Sequence, residues 1–417
     1  MLTFRAITHL SLEEKIMQTK PSLWLAIALM MFPQIVETIY SPALTNIANG
    51  FSISSEQAAQ TLSLYFFAFA LGVVVWGRMC DVIGRRPAII VGLSLYGLAS
   101  LLALLTQQFW LLLVARMLSA FGAAVGSVGT QTIMRDTYRG EELAHVFSIM
   151  GIALAASPAI GMLSGSTLNY FAGYKAVFAG LAILAVILTC WSIVRLPETR
   201  PIDVIKVSLF STAIIMLKDI SIWRNAFLIA FFNICLFSYY QLAPFRFEQF
   251  GLSQEIFGYT GLLMTFGVGL GSLLNKYLLK QRWISAKLVT LASLINLLSG
   301  IGVYLLENSW LFIFPMLGIV IAYGLAIPNI LASVLTNYSD RLGTAGALLG
   351  LFYYFLLGFG LALAGWSQAL SCVLICCGIS MIVLSLFQTS LFKHSFSNKD
   401  KKPPTTKMEI KSGGYVD

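Results

Sequence analysis

The chain contains 417 residues, of which 58% are hydrophobic and 11% are charged, and its formal net charge is +9. Soluble domains carry about 25% charged residues, so this composition excludes a soluble protein and indicates a chain that lies mostly in lipid. The six Cys and three His are too few and too scattered for a disulfide scaffold or a His-based metal site, and we expect neither a metal nor a cofactor.

Long uncharged stretches recur along the whole chain. A helix that crosses the hydrocarbon layer needs about 20 apolar residues. The run from Leu342 to Phe392 is too long for one span, and we place its reversal at Gly365-Trp-Ser-Gln368. The uncharged stretches predict twelve spans, at 22–43, 57–77, 88–106, 110–134, 143–168, 175–194, 225–245, 256–275, 287–306, 309–335, 342–364 and 367–392.

The basic residues predict the orientation of these spans. Twelve spans place both termini on the same side of the membrane. Of the 27 Lys and Arg, all but Lys175, Arg246 and Arg116 then lie on that side. Because Lys and Arg concentrate in cytoplasmic loops, both termini are predicted to face the cytoplasm.

The apolar pattern is interrupted at the centre of the chain. The segment Arg195-Leu-Pro-Glu-Thr-Arg-Pro201 contains two prolines that stop a helix from continuing, and Val204–Lys218 follows as a short interfacial helix. We interpret this segment as a domain boundary, with an ordinary long loop as the alternative. The predicted organisation is a cytoplasmic N-terminal segment (1–21), an N-terminal six-helix bundle (22–195), a cytoplasmic linker (196–224), a C-terminal six-helix bundle (225–393) and a disordered cytoplasmic tail (394–417).

The loop between spans two and three reads Gly77-Arg-Met-Cys-Asp81-Val-Ile-Gly84-Arg85-Arg86-Pro87. Gly84 permits a tight reversal, and Asp81 can accept hydrogen bonds from neighbouring Arg side chains. Such contacts could hold one conformation of two moving halves. We therefore predict a conformational latch loop formed by Gly77, Asp81, Gly84, Arg85 and Arg86. The string resembles the signature loop of the major facilitator superfamily, Gly-x-x-x-Asp-x-x-Gly-Arg-Arg.

Further stretches resemble the drug:proton antiporters of that superfamily. Arg116-Met-Leu-Ser-Ala-Phe-Gly122 in span four is similar to a motif linked to proton coupling. Ser157-Pro158-Ala-Ile-Gly161 in span five is similar to the antiporter motif Gly-Pro-x-x-Gly, with Ser157 in place of the first Gly. With Pro197-Glu-Thr-Arg-Pro201 and Gly343-Thr-Ala-Gly-Ala-Leu, these stretches resemble the bicyclomycin/chloramphenicol-resistance (Bcr/CflA-like) branch.

The resemblance implies an all-α integral membrane protein of the bacterial cytoplasmic membrane. Its twelve transmembrane helices would form two pseudo-symmetric six-helix bundles, with the substrate site between them near the middle of the membrane.

Two ionisable residues lie well inside predicted spans, and each is a functional candidate for that reason: Glu37 in span one and Arg116 in span four. Counting about 1.5 Å per residue from opposite membrane faces puts both at the same level, so we predict an ion pair between them. Burial disfavours an ionised carboxyl and a nearby Arg favours it, so Glu37 is our hypothesis for the proton-carrying site. A static structural pair is the alternative, and the usual acidic position of the branch falls at Thr38.

Aromatic and amide side chains in several spans suit an apolar cavity that orients flat lipophilic molecules. Tyr and Trp also anchor helices at membrane interfaces and fill helix contacts, which is the alternative role for each of them. The candidate cavity residues are Gln34, Tyr40, Tyr65, Asn233, Tyr239, Tyr240, Gln241, Tyr323 and Asn329.

The resemblance implies a proton-coupled exporter of small lipophilic compounds or drugs. Export of an endogenous metabolite such as a siderophore, sugar or amino acid is the alternative on the same scaffold. A non-transport membrane receptor or enzyme is the least favoured alternative, and against an enzyme the sequence has no His-Glu-x-x-His, Gly-x-Ser-x-Gly or Walker motif. The lack of a nucleotide motif also indicates that an ion gradient supplies the energy, and the resemblance implies that this ion is the proton. We expect a small-molecule substrate, protons and the lipid bilayer as partners, no nucleic acid, and a monomer.

Overall fold

The computed structural model describes residues 20–201 and 208–399, and this part of the chain is helical, without β-strands. Short 3₁₀ turns at Ser41–Ala43, Trp310–Phe312 and Thr336–Arg341 join some of the helices. The α-helices are α1 (Leu23–Thr38), α2 (Leu44–Phe51), α3 (Ser55–Ile83), α4 (Arg85–Leu105), α5 (Phe109–Thr137), α6 (Gly140–Arg195), α7 (Leu209–Lys218), α8 (Ile220–Gln249), α9 (Gln254–Lys280), α10 (Ser285–Leu305), α11 (Ile313–Val334), α12 (Leu342–Ser367) and α13 (Leu370–Lys399).

These helices account for the twelve predicted spans. Ten helical stretches of the described chain are long and apolar enough to cross a membrane. One of them, α6, is interrupted at Ala172 (φ −148°, ψ 24°) and Gly173 (φ 67°, ψ −170°), so it comprises two helices and two spans. The apolar helix α13 supplies the last one. The fold is therefore the predicted all-α membrane fold.

Two span boundaries differ from the prediction. Span one does not run unbroken to residue 43, because α1 ends at Thr38 and the chain continues through a 3₁₀ turn and α2. The reversal before α13 lies at Gln368 and Ala369, slightly later than predicted, since α12 extends to Ser367 and Gln368 adopts a left-handed conformation (φ 50°). Uncharged sequence marks a span but does not mark a helix break inside it.

The centre of the chain contains a helix end and a short helix. Helix α6 ends at Arg195, just before Pro197, and α7 begins after Ser208, whose hydroxyl accepts a hydrogen bond from the Ser211 amide. The first part of the predicted interfacial helix, residues 204–207, lies outside the described residues, as do most of the N-terminal segment and residues 400–417 of the tail.

The two halves of the molecule meet along two helix pairs, α3 with α12 and the first part of α6 with α9. Small residues allow the second pair to approach closely. A Cβ atom at Gly261 on α9 would lie 2.9 Å from the Cβ of Met162 on α6. Membrane helices associate through such small-residue contacts because lipid provides no hydrophobic drive between them.

Candidate functional site

A central cavity of about 230 Å³ lies between the two halves. Its walls come from helices of both halves, and Glu37 near the end of α1 is its acidic lining residue. The Glu37 side chain is 1% exposed, and neither carboxylate oxygen has a hydrogen-bond partner among the described residues. A buried carboxyl without donors is costly to ionise, which makes this residue the chemically distinctive group of the cavity.

The central cavity continues toward the predicted cytoplasmic end of the molecule. A second cavity of about 530 Å³, the vestibule, shares Ser127, Gln131, Leu331, Tyr353 and Tyr354 with its lining. A third cavity of about 410 Å³ borders the vestibule and is lined by Asp81 and Arg85 of the latch loop. A series of three adjacent cavities therefore extends from the latch-loop end to Glu37.

The opposite end of the interface is closed by hydrogen bonds between the halves, which we call the outer seal. The Gln241 amide on α8 donates across the interface to the carbonyl of Ala59 on α3 (2.9 Å), and within its own half to the carbonyl of Leu361 on α12 (3.0 Å). Gln60 donates to the carbonyl of Ala362 (3.0 Å), and the Ser41 hydroxyl donates to a backbone carbonyl of α8. The structure is thus open at the latch-loop end and closed at the other.

The predicted ion pair between Glu37 and Arg116 is not formed. Arg116 is 1% exposed, and its guanidinium lies over the rings of Tyr40 and Tyr65, 3.9 Å and 4.6 Å from their centres. No ion pair joins it to an acidic residue within the described chain, and its Nε and Nη2 atoms have no hydrogen-bond partner there. Equal depth in the membrane brought the two side chains near each other but did not set the direction of the guanidinium.

The antiporter-like motif of span five packs against the end of α1. A Cβ atom at Gly161 would lie 2.8 Å from the Ile35 carbonyl oxygen and would overlap Thr38. Ser157 is buried and donates to the Ala153 carbonyl (2.9 Å) within its own helix, one turn before the Pro158 ring. These residues therefore support the backbone that carries Glu37 and do not line the central cavity.

The nine predicted cavity residues divide into two groups. Gln34, Asn233 and Tyr323 line the central cavity, and the Tyr323 hydroxyl lies 3.3 Å from the Asn233 amide oxygen. The others lie elsewhere, because helix rotation turns them toward packing contacts. Tyr40 and Tyr65 contact Arg116, Tyr239 donates to Thr260 (2.6 Å), Tyr240 and Gln241 belong to the outer seal, and Asn329 donates to Asn275 (2.7 Å).

Sequence reasoning missed several lining residues. Tyr353 and Tyr354 on α12 line both the central cavity and the vestibule, together with Gln131 on α5. Phe69 on α3 and Phe237 on α8 complete the aromatic wall. The sequence did contain a signal for Tyr353 and Tyr354: two adjacent polar side chains in an otherwise apolar span indicate a cavity, since polar groups are rare inside the membrane.

The latch loop is held by partners that the sequence did not reveal. Gly84 adopts φ +107°, and the carboxylate of Glu198 lies against it and accepts hydrogen bonds from the Arg85 and Arg86 amides (2.9 and 3.2 Å). Glu198 therefore caps the N-terminus of α4, where an anion is favoured. The Arg85 side chain pairs with Asp81 (3.1 Å) and with Asp136 on α5 (2.8 Å). Gly77 lies on α3, about one turn before Asp81; it lines the third cavity, and a Cβ atom there would lie 3.7 Å from the Cβ of Ala347 on α12.

Comparison with known proteins agrees with this architecture. The sequence matches the Major Facilitator Superfamily over residues 23–361. It is 31% identical over 352 residues to an uncharacterized transporter of Rickettsia bellii, covering 80% of this chain and 87% of the relative. It is 22% identical over 337 residues to a bicyclomycin resistance protein homolog of Haemophilus influenzae, covering 77% and 83%.

A solved structure shares the fold. A bacterial homologue of the human lysosomal transporter Spinster, in an inward-facing and unoccupied conformation, superposes with a TM-score of 0.68 at 16% identity, covering 92% of this chain and 98% of that one. With the family match across most of the chain and the helical spans around a central cavity, the chain belongs to the Major Facilitator Superfamily of membrane transporters, and its relatives include a bicyclomycin resistance protein homolog.

Proposed function

We propose that this transporter exports small lipophilic compounds from the bacterial cytoplasm in exchange for protons, with both termini in the cytoplasm. In this proposal the halves correspond to residues 22–195 and 225–393, joined by a cytoplasmic linker. The observation that carries it is the placement of Glu37. It is a buried carboxyl without a hydrogen-bond partner among the described residues, on the wall of a cavity that aliphatic, aromatic and amide side chains otherwise line.

The chemistry follows from that placement. A protonated Glu37 is neutral and tolerates burial, whereas an ionised one needs water, a cation or a polar substrate. Proton loss into the open cavity and arrival of a substrate would then favour different arrangements of the halves. The aromatic faces of Phe69, Phe237 and Tyr354 offer stacking surfaces to a flat apolar compound.

Transport in inside-out membrane vesicles tests the proposal. With an acidic interior imposed, we expect chloramphenicol or bicyclomycin to dissipate the pH gradient, followed with a pH-sensitive dye. Glu37→Gln should abolish this dissipation because its side chain cannot release a proton. Glu307→Gln is the matched control, since Glu307 binds Ser371 (2.7 Å) away from the cavity.

Two outcomes would contradict parts of the proposal. Wild-type proton exchange in the Glu37→Gln vesicles would remove Glu37 from coupling. A lack of response to both compounds, with counterflow of a siderophore, sugar or amino acid instead, would favour export of an endogenous metabolite.

A further inference from the structure

The surroundings of Arg116 are unusual for a buried cation. A guanidinium stays charged at any physiological pH, so it needs a compensating partner when it is buried. Here the partners are two ring faces, those of Tyr40 and Tyr65, and all three side chains are almost fully buried. A desolvated guanidinium over an aromatic face is attracted to the ring quadrupole without any transfer of charge. We call these two residues the tyrosine cage.

The tyrosine cage lies next to the proton-carrying candidate. Glu37 and Tyr40 are three residues apart, and Tyr40 keeps helical dihedral angles (φ −75°, ψ −30°), so they lie on adjacent turns of the same face. A shift of roughly one helical turn, about 5 Å, would thus separate the caged position of Arg116 from a position that pairs with Glu37.

We propose that Tyr40 and Tyr65 are positioning residues that hold Arg116 away from Glu37, so that the Glu37 carboxyl can carry a proton while the cavity is open. This inference rests on the proposed proton coupling. When Glu37 releases its proton to water in the cavity, the new carboxylate can draw Arg116 out of the cage. The pair then neutralises both charges, and reprotonation returns Arg116 to the rings.

Other groups around Glu37 do not replace this role. Among the described residues, Arg116 is the basic group whose charge acts on Glu37. The titratable groups that face Glu37 from α3, α11 and α12 are the phenols of Tyr65, Tyr323, Tyr353 and Tyr354, which are neutral at physiological pH. The distance of Arg116 therefore decides how readily this carboxyl keeps its proton.

Carbodiimide labelling tests the inference without a substrate or a gradient. Dicyclohexylcarbodiimide reacts with protonated carboxyls in apolar surroundings, and mass spectrometry measures the modified fraction of Glu37 in the purified full-length protein at fixed pH. We expect labelling of the wild type and of Tyr40→Phe/Tyr65→Phe, which keeps both ring faces. Labelling of Tyr40→Leu/Tyr65→Leu should fall by about tenfold, because a guanidinium at ion-pair distance favours the ionised carboxyl by at least that factor.

Three labelling results would contradict the positioning role of the tyrosine cage. They are equal labelling of the Leu and wild-type proteins, an equal loss of labelling in the Phe and Leu proteins, and a wild type that is not labelled. If the double Leu variant aggregates on size-exclusion chromatography, Tyr40→Leu and Tyr65→Leu are each compared with their Phe counterparts. A wild type that labels as expected but shows no gradient-dependent exchange would instead contradict the proposed function.

Discussion

The side-chain amide of Gln241 lies 3.0 Å from the carbonyl oxygen of Leu361, so a residue of α8 hydrogen-bonds to the backbone of α12. The same amide donates to Ala59 on α3, in the other half of the molecule. Gln241 is fully buried, and a Cβ atom at neighbouring Gly365 would lie 2.8 Å from its nitrogen. The outer seal is therefore closely packed around one amide group.

We expect Gln241→Leu to shift the molecule toward a conformation open at the outer end. The change removes the hydrogen bond that crosses to Ala59 in the other half, a loss of about 0.5–1.5 kcal/mol for the closed state. Spin labels at the exposed positions Gln107 and Trp366, in a background without native Cys, should show a longer distance component. Gln254→Leu is the control, because its bond to Pro244 stays within one half (3.3 Å). An unchanged distance distribution in Gln241→Leu would contradict this role.

Gly161→Ala is expected to destabilise the protein. The added methyl group would overlap Thr38 and the Ile35 carbonyl at the end of α1, and such overpacking costs about 1–3 kcal/mol. Gly151→Ala lies on the same helix with no neighbour within 4 Å of the new atom, so it should be neutral or slightly stabilising. Melting temperatures of the two purified variants in detergent give the comparison. Equal melting temperatures would show that α6 can move away from α1 at no cost.

Glu198→Gln should weaken the cap of α4. The carboxylate accepts from the Arg85 and Arg86 amides at a helix N-terminus, and loss of its charge is expected to cost about 1 kcal/mol. Glu142→Gln is a suitable control, since its pair with Lys20 is exposed (2.5 Å) and should matter little. Limited proteolysis at the latch loop, with faster cleavage of Glu198→Gln alone, would report the loss. Identical cleavage of both variants would argue against the cap.

Tyr338 gives a pH-dependent prediction outside the spans. Burial, followed by its hydrogen bond to Asp219 (2.9 Å), raises the pKa of Tyr338 to about 12. Because the folded-state pKa exceeds the unfolded value of about 10, the stability from the protonated phenol is complete below that value and is lost as the pH rises toward 12.

The melting temperature tests whether this stability is lost as the pH rises. At neutral pH, Tyr338→Phe should melt below the wild type, by the equivalent of about 1 kcal/mol for one hydrogen bond. The difference should shrink between pH 10 and pH 12, as the wild type loses the proton that it donates. Tyr304→Phe, at an exposed position, controls for general alkaline effects. A constant difference across this range would contradict the assignment.

The helices could be predicted because length and apolarity are properties of each segment alone. The site was less predictable, because it depends on how helices rotate against one another. The positions of Glu37 and Arg116 along their helices predicted that the two residues lie at the same level. They could not show that the guanidinium would lie over two aromatic rings instead of pairing with the carboxylate. Likewise, Glu198 lies in the stretch Pro197-Glu-Thr-Arg-Pro201 that carries part of the family resemblance, but its contact with Gly84 joins segments more than one hundred residues apart. Such long-range contacts leave no trace in local composition.

The break at Ala172 and Gly173 offers a site at which the orientation of the protein in the membrane can be measured. It occupies two residues, and no atom lies within 4 Å of a Cβ atom at Gly173. A short epitope inserted at this loop tip should be tolerated, as insertions at exposed tips usually are. If the termini face the cytoplasm, antibody would bind that epitope on spheroplasts and not on sealed inside-out vesicles. One insertion thus fixes the sidedness of all twelve spans.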